Sequence, residues 1–345
     1  LSMSLSLTLS LSLSLSLLFV CCNEAHGLRL LQQQRCGVFA SVKSRAVNQL
    51  KMRRVNCNLL LFYAILSWQS LFVCCNEAHG LRLLQQQRCG VFASVKVTNG
   101  REVRLASRPW MALLRLRYAG EEGFHCAGTL ITDRFVLTAA HCVAPFELVY
   151  VRLGEHNLST DTDCKVTGKR TMCVPPVEDV GVAAVYKHEE YSSAAKHNDI
   201  ALIKLERQVE FKKHIKPICL PIGVEASQSF VVTGWGITEN GTAVDVPREA
   251  AIELQARQTC AHTFDRIVKQ SQLCAGATAS DSCRGDSGGP LSYPAVYATR
   301  QRFVQFGIVS YGARDCGNGY PADYTDVASY LPWITGIIGA NSSKD

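Results

Sequence analysis

Residues Asp281 to Pro290 read DSCRGDSGGP, a run in which one carboxylate stands six residues before Ser287 and a second stands immediately before it. Two glycines follow the serine. A serine hydroxyl is a poor nucleophile at neutral pH and needs a base within hydrogen-bond reach. The run therefore directs attention to a histidine and to a further acid elsewhere in the chain.

Two other strings supply those groups. Residues 137–142 read LTAAHC and contain His141, and residues 198–205 read NDIALIKL and contain Asp199. An imidazole titrates near neutral pH, so His141 suits the role of base, and an acid such as Asp199 holds the other ring nitrogen protonated. The strings GDSGGP, LTAAHC and NDIALIKL, in the chain order His, Asp, Ser, resemble the chymotrypsin-like (trypsin-family) serine peptidases. The resemblance extends from Val97 to about Ile338.

The apolar pattern after residue 97 predicts an all-β fold. Short apolar runs are separated by Gly, Pro and Asn turns, as is typical of packed antiparallel sheets. The resemblance makes this fold two packed antiparallel six-stranded β-barrels. A helical stripe near the end adds a C-terminal helix, with Pro332 tolerated in its first turn. The runs are Phe135–Leu137, Ile200–Leu205, Phe230–Val232 and Phe306–Ser310, and the stripe is Val327, Tyr330, Ile334 and Ile338.

The net charge of +7 is concentrated at the front of the chain. Residues 1–96 hold ten Lys or Arg against two acids, whereas residues 97–345 hold 26 basic and 27 acidic side chains. Residues 97–345 therefore have no excess of basic side chains, whereas a nucleic-acid-binding protein needs such an excess to bind phosphate groups. We expect no nucleic acid and no membrane among the partners.

The front of the chain predicts a removable leader. Residues 72–96 repeat residues 19–43 without a change, and Ser4–Leu17 alternates Ser or Thr with Leu. A basic start at Met52-Arg53-Arg54, a short apolar stretch and small residues near Ala78 are typical of a secretory signal peptide. We therefore divide the chain into a leader without function (1–51), a signal peptide (52–78), a short propeptide or connector (79–96) and one peptidase domain (97–345).

Cysteine usage favours secretion. The chain has 16 cysteines, and the ten from Cys89 onward are widely and irregularly spaced. Such spacing suits disulfides in an oxidising compartment better than a zinc site. The spacing alone leaves the connectivity open. The resemblance implies Cys126–Cys142, Cys260–Cys274, Cys283–Cys316 and Cys89–Cys219, with Cys164–Cys173 as an extra loop bridge seen in insect members.

The resemblance also assigns the substrate site. Asp281 lies at the base of the S1 pocket, where an unpaired carboxylate selects Lys or Arg, and Ser310 and Gly312 line its entrance and pair with the substrate backbone. The N–H groups of Gly285 and Ser287 form the oxyanion hole, where each donor contributes about 3–4 kcal/mol. Ala322 stands where trypsin-like enzymes usually have Gly at the pocket wall. This methyl group shifts the preference between Lys and Arg or the overall rate.

The acid beside the serine implies a precursor. Family members are cut before an Ile or Val, whose new amino group turns inward to meet that acid, here Asp286. Lys96-Val97-Thr98-Asn99-Gly100 keeps the basic residue, the branched apolar residue and the last glycine of the family's activation site. A buried carboxylate needs a partner, and Val97 supplies it only after cleavage at Lys96.

The loop GEHNLSTDTDC carries oxygen ligands for an optional Ca²⁺ ion. It resembles the calcium loop of insect clip-domain proteases, and hard oxygen donors suit Ca²⁺. A solvated acidic turn without metal is an equally weighted alternative. No cofactor is required for catalysis. The candidate ligands are Glu155, Asn157, Thr160 and Asp163, and Asn157, Asn240 and Asn341 each begin an N-glycosylation sequon.

PWMALLRL, CVPPVEDVGV and IKPICLP add to the likeness to insect clip-domain haemolymph proteases. A clip module needs six cysteines before Cys89, and there are none from Asn76, so we expect a secreted, monomeric zymogen without a clip domain. Its partners would be protein substrates, an activating protease and serpin-type inhibitors. Two alternatives stay open: a regulatory pseudoprotease whose pocket Ala322 keeps closed, and a form tethered to a membrane by an uncleaved leader.

Replacing Lys96 with Gln removes the predicted activation cut. We expect K96Q to be secreted as a precursor without peptidase activity, because the Asp286 carboxylate never gains its amino partner. Secretion and turnover of an arginine amide are measured beside the wild-type chain. Full activity of K96Q would refute the switch.

Overall fold

Two β-sheets account for most of the regular structure after residue 100. The computed structural model describes residues 73–92, 101–238, 240–277, 285–313 and 319–342. The first eight strands are β1 (Arg101–Glu102), β2 (Met111–Tyr118), β3 (Glu121–Leu130), β4 (Phe135–Thr138), β5 (Glu147–Leu153), β6 (Cys164–Thr167), β7 (Arg170–Cys173) and β8 (Glu178–Val180). The next eight are β9 (Val182–Lys187), β10 (Ala201–Leu205), β11 (Ser229–Gly234), β12 (Arg248–Gln255), β13 (Gln272–Gly276), β14 (Pro290–Tyr297), β15 (Arg300–Tyr311) and β16 (Ala322–Asp326).

Every paired strand lies antiparallel to its neighbour, and the predicted fold class is confirmed. One sheet has the order β8-β5-β2-β3-β4-β10-β9. The other has the order β1-β12-β11-β14-β15-β16-β13, and pairing of β12 with β13 closes it into a barrel. A separate hairpin, β6–β7, carries the Cys164–Cys173 disulfide across its open end.

The predicted count of six strands holds for the closed part of the second barrel, with β1 added at its edge. The first sheet counts seven because β8 and β9 are separated by Gly181. The backbone N–H and C=O of Gly181 bond to the side chain and the backbone of Glu206 instead of to a strand. The run 178–187 thus turns a corner: β8 pairs with β5 at one end of the sheet and β9 with β10 at the other.

Alternating apolar residues fill the interior of each barrel. Leu114, Leu116 and Leu137 are fully buried in the first. Phe230 and Phe306 lie in one buried cluster of the second, with ring centroids 5.6 Å apart. Burial of a side chain of this size contributes about 1.5–3 kcal/mol, so the two cores supply most of the stability that holds the loops between strands in place.

Helices occur at both ends of the described chain. Residues 73–86 form α1, Arg257–Phe264 form α2 and Leu331–Asn341 form α3. A 3₁₀ turn, Val327–Tyr330, precedes α3, so Pro332 lies in the first turn as predicted. No helix among the described residues has the length and apolar character needed to cross a membrane.

The chain divides into two compact units. Leu83–Pro332 form one, which contains both sheets and every described candidate of the catalytic site. The described part of the other consists of residues 73–82 and 333–342. There the backbone of Gly80 lies directly against the carbonyl of Thr335, a close approach that leaves no room for a side chain at residue 80. The predicted division at residues 51, 78 and 96 falls on segments outside the described residues or inside α1, and it stays a prediction.

Candidate active site

His141 lies in a short 3₁₀ turn, Ala140–Cys142, that follows β4. The disulfide between Cys142 and Cys126 ties this turn to β3. The His141 side chain is 29% exposed, so part of the imidazole faces solvent. A turn anchored covalently next to a strand keeps the ring in one position, as a catalytic base requires.

Asp199 stands two residues before β10, which pairs antiparallel with β4. Ala201 lies opposite Thr138 in that pairing, so the start of β10 and the end of β4 share one rim of the barrel. The Asp199 Oδ2 lies 2.7 Å from His141 Nδ1, and Oδ1 accepts a hydrogen bond of 2.9 Å from the His141 backbone N–H. Two contacts to one residue fix both the position and the rotation of the imidazole.

The Asp199 carboxylate is 3% exposed but stays ionised. Burial on its own raises the pKa of a carboxyl group, because the charged form loses its hydration. Hydrogen bonds from His141 and Ser310, together with attraction to the imidazole, outweigh burial and leave the pKa of Asp199 below its ordinary value. The fixed negative charge stabilises an imidazolium as it forms.

Two residues that hold Asp199 come from the second barrel. Ser310 Oγ donates a 2.6 Å hydrogen bond to Asp199 Oδ2, and Thr325 Oγ1 donates one of 2.8 Å to the Asp199 carbonyl. The family resemblance predicts Ser310 at the pocket entrance, paired with the substrate backbone, and no sequence motif points to Thr325. The register of β15 against β16 shifts between Val309 and Tyr311, and this bulge includes Ser310. A β-bulge changes the direction in which a side chain points, and the pattern of apolar residues in the sequence does not predict where a bulge occurs.

Ser287 lies in a loop that is bonded to both barrels. Its carbonyl accepts a 2.8 Å hydrogen bond from the Ala127 N–H of β3, next to Cys126. The following Gly288 donates to the carbonyl of Val309 on β15, at 2.9 Å. Gly288 has a φ of +77° and lies tightly against Thr138 and Ala127, so a side chain at this position would displace the loop. The structure thus brings the serine loop to the strand that is disulfide-bonded to the His141 turn.

The two residues before the serine pack against the Gly234-Trp235-Gly236 segment. Gly285 has a φ of +101° and approaches the Gly236 backbone too closely for a Cβ atom. Asp286 is 8% exposed, and its Oδ1 accepts a 2.9 Å hydrogen bond from the Gly236 N–H. The glycines at 234 and 236 are therefore needed, because their backbone encloses the Asp286 carboxylate. Lys96 and Val97 lie outside the described residues.

The pocket is described on one side. A Cβ atom built on Gly312 would lie 3.3 Å from the Ala322 Cβ, so these two residues face each other. Ala322 begins β16 and is 1% exposed. The Ala322 methyl group therefore projects toward Gly312, the first residue after β15, which is expected to pair with the substrate backbone. Asp281, Cys283 and Cys316 lie outside the described residues.

Four disulfides are present among the described residues. Cys89–Cys219 joins the segment before residue 97 to the peptidase body, and Cys260–Cys274 joins α2 to β13. A chain cut after residue 96 would stay attached through Cys89. The fifth expected pair, Cys283–Cys316, is outside the described residues.

The candidate calcium ligands form one compact turn. Asp163 Oδ1 accepts hydrogen bonds from the Asn157 N–H (3.2 Å) and from Thr160 Oγ1 (2.8 Å). Burial and the nearby Asp163 charge raise the pKa of Glu155 above its ordinary value. Arg152 donates to Glu155 Oε2 at 3.3 Å, so a protein cation already contacts one of the two acids.

Comparisons with known proteins agree with this geometry. A family model described as Trypsin matches residues 97–334. Serine protease grass of Drosophila melanogaster is 48% identical over 265 residues, covering 73% of this chain and 70% of that protein. Phenoloxidase-activating factor 3 of Holotrichia diomphalia is 39% identical over 276 residues, covering 76% of this chain and 78% of that protein. The solved structure of the Drosophila Grass clip serine protease of the Toll pathway matches at 46% identity with a TM-score of 0.70, covering 76% and 78%.

Removing the Ser310 hydroxyl tests the support of Asp199. At pH 7 we expect S310A to lose about 1.5–3 kcal/mol of unfolding free energy, the usual contribution of a hydrogen bond to a charged group. Hydrogen bonding stabilises the ionised carboxylate, so this contribution is present above the ordinary aspartate pKa of about 3.9 and disappears as the pH falls through the lower native pKa. Urea unfolding at pH 7 and near pH 2 measures both.

The matched control is S329A. Ser329 donates a 2.7 Å hydrogen bond to Asp326 in an exposed pair, so this variant should lose about 0.5 kcal/mol or less. Equal losses in S310A and S329A, or a loss in S310A that persists at the acid end, would contradict the assignment.

Proposed function

The chain belongs to the trypsin family and is a serine-type endopeptidase, and on that premise we propose that His141, Asp199 and Ser287 are its catalytic triad. The observation that carries the proposal is the double contact of Asp199 with the ring nitrogen and the backbone N–H of His141. A merely structural histidine needs one partner. Here both contacts serve to orient the imidazole while one edge of the ring stays open.

The chemistry follows from the tautomer that Asp199 selects. With the proton on Nδ1 donated to Oδ2, His141 keeps Nε2 unprotonated as a base. Ser287 Oγ attacks the peptide carbonyl carbon and its proton passes to Nε2. The imidazolium then protonates the leaving amine, and a water molecule repeats the sequence to release the acid. The proposed oxyanion donors are the N–H groups of Gly285 and Ser287, each worth about 3–4 kcal/mol.

We propose that the preferred substrate residue before the scissile bond is Arg or Lys. Asp281, six residues before Ser287, supplies the carboxylate, and at an effective dielectric of about 20 a pair about 4 Å apart attracts by about 4 kcal/mol before desolvation. Ala322 faces Gly312 across the described part of the pocket. The Ala322 methyl group narrows the slot, so it acts on the balance between Arg and Lys.

We propose that cleavage after Lys96 activates the enzyme. The buried Asp286 lies among the backbone atoms of Gly234 and Gly236, and its Oδ1 accepts a hydrogen bond from the Gly236 N–H. After the cut, the new amino group of Val97 would add a positive charge beside this carboxylate, and such a charge compensates the cost of burying it. Ordering of Asp286 then fixes Gly285, because the two are adjacent, and the oxyanion donors come into place.

The setting we propose is an extracellular proteolytic cascade. Disulfide usage and the signal-like segment at 52–78 support secretion. The names of the relatives support a cascade: one is an activating factor for phenoloxidase, and another is a protease of the Toll pathway. The partners would be a protein substrate, an upstream activating protease and serpin-type inhibitors, with the enzyme acting as a monomer.

Trypsin-like serine proteases typically need no cofactor, but the 155–163 loop fits a structural Ca²⁺ ion. Two buried carboxylates lie near each other there, with oxygen atoms of Asn157 and Thr160 beside them. Glu155, Asn157, Thr160 and Asp163 would hold the ion. Its role would be to neutralise the two acids and so to stabilise the loop, not to act on the substrate.

Substrate profiling tests the proposed activity. After cleavage at Lys96, we expect turnover of amides with Arg or Lys before the scissile bond to exceed that of Leu or Phe amides. An organophosphate should label Ser287 in the cut form. Faster turnover of Leu or Phe amides would overturn the specificity, and failure to label would favour the pseudoprotease.

Two variants test the pocket residues separately. The variant A322G should change the ratio of turnover between Arg and Lys amides, whereas D281N should abolish the preference for basic residues.

Thermal and urea unfolding test the calcium proposal without an activity assay. With Ca²⁺ at ten times its dissociation constant, we expect the unfolding free energy to rise by about 1.4 kcal/mol over the value in EDTA. D163N should remove this response, while D161N, which alters an exposed neighbouring acid, should retain it. An identical stability in Ca²⁺ and EDTA would contradict the site.

A further inference from the structure

A fully buried acid lies directly behind the pocket wall. Asp323 follows Ala322 on β16 and is 0% exposed. Its carboxylate lies beside the sulfur atoms of Cys260 and Cys274, with all three ligand-type atoms within 4.8 Å of one another. Those sulfurs form a disulfide and offer no charge to compensate the acid. A buried carboxylate in such surroundings is costly unless a cation meets it.

Arg266 is that cation. Its Nη2 is ion-paired with Asp323 Oδ2, and the two side chains are 15% and 0% exposed. Its Nη1 donates a 3.3 Å hydrogen bond to the Ala195 carbonyl, in the loop that leads to Asp199. Arg266 follows the end of α2, where Asp265 adopts a left-handed φ of +46° that turns the chain toward β16.

The pair is poorly built for stability alone. Arg266 Nε and Asp323 Oδ1 are buried, and neither has a hydrogen-bond partner among the described residues. Apolar residues of similar volume are often as stabilising as a buried ion pair, or more so. An incompletely satisfied pair in this location therefore points to a role in placing a neighbour.

The neighbour is Tyr311. It lies directly opposite Asp323 in the pairing of β15 with β16, so the two side chains share one face of the sheet. The Arg266 guanidinium carbon is 5.1 Å from the centroid of the Tyr311 ring, and Phe264 packs edge-on against the same ring at 5.2 Å. Tyr311 itself is 37% exposed. Arg266 and Phe264 thus contact the ring, together with Lys196, whose Nζ lies 5.4 Å from the ring centroid, while part of the ring stays open.

Tyr311 stands between Ser310, which bonds to Asp199, and Gly312, which faces Ala322. We propose that Arg266 and Asp323 are a positioning pair that holds Tyr311 as a wall for the substrate residues preceding the cleaved position. The inference rests on the proposed function. Neither residue touches the reacting atoms, so the pair acts on the binding of extended substrates and leaves the chemistry at Ser287 unchanged.

The test compares two arginine amides with the same leaving group on the activated full chain. One has a single residue, and the other has three additional residues on the amino side. The variant R266M/D323N removes both charges together, because R266M alone strands the buried acid. We expect kcat/KM for the single-residue amide to stay within about 2-fold of wild type, and that for the extended amide to fall about 10-fold through KM.

Y311A should reproduce this selective loss, and adding R266M/D323N to Y311A should produce no further change in the ratio. This cycle distinguishes action through Tyr311 from general destabilisation. Titration of Ser287 with an organophosphate fixes the concentration of folded enzyme, so rates refer to active sites only. R257M is the matched control: among the residues that the structure describes, the Arg257 side chain on α2 donates to the Gln270 and Gln272 carbonyls, so its loss should leave the ratio unchanged.

Two results would overturn the inference. One is a wild-type ratio in either R266M/D323N or Y311A, and the other is an equal loss on both substrates. Turnover of the single-residue amide by the unmodified enzyme tests the proposed function separately, so the failure of one conclusion is recognisable without the other.

Discussion

The buried carboxylate of Asp199 is the point at which the two barrels become one catalytic unit. Asp199 belongs to the first barrel, where its carboxylate contacts the His141 ring, and it accepts a hydrogen bond from Ser310 of the second barrel. Thr325 of the second barrel bonds its carbonyl. Charge and burial oppose each other at this position, and hydrogen bonds from both sides decide the outcome in favour of the ionised form. If the hydrogen bonds to Asp199 from either barrel were lost, Asp199 would no longer hold the His141 imidazole in one orientation or supply its counter-charge.

Two further buried acids follow the same physical rule. Asp286 is enclosed by the backbone of Gly234 and Gly236, and Asp323 is enclosed by a disulfide and met by Arg266. Each acid is expensive to bury and so is sensitive to the presence of its partner. We propose that the three acids serve three neighbouring functions of the fold: orientation of the base, completion of the nucleophile loop and placement of Tyr311.

Local sequence predicted much of this arrangement. Short apolar runs predicted the all-β class. The motifs around His141, Asp199 and Ser287 were recognisable because each is a contiguous segment of sequence. The contacts of Ser310 with Asp199 and of Arg266 with Asp323 could not be predicted, since they depend on a bulge and on strand register between distant segments. The corner at Gly181 could not be predicted for a similar reason: Gly181 bonds Glu206, which is distant in the sequence, and so divides residues 178–187 into β8 and β9.

The hydrogen bond from Ala127 to the Ser287 carbonyl has a mechanical consequence. The Ser287 loop leads into β14 of the second barrel, but its hydrogen bond is to β3 of the first. This bond lies next to the Cys126–Cys142 disulfide, which joins β3 to the His141 turn. Hinge bending between the two barrels would break the hydrogen bond between Ala127 and Ser287. These two links oppose relative motion of the barrels, so a binding partner would meet a largely preformed surface, as in most protease–inhibitor complexes.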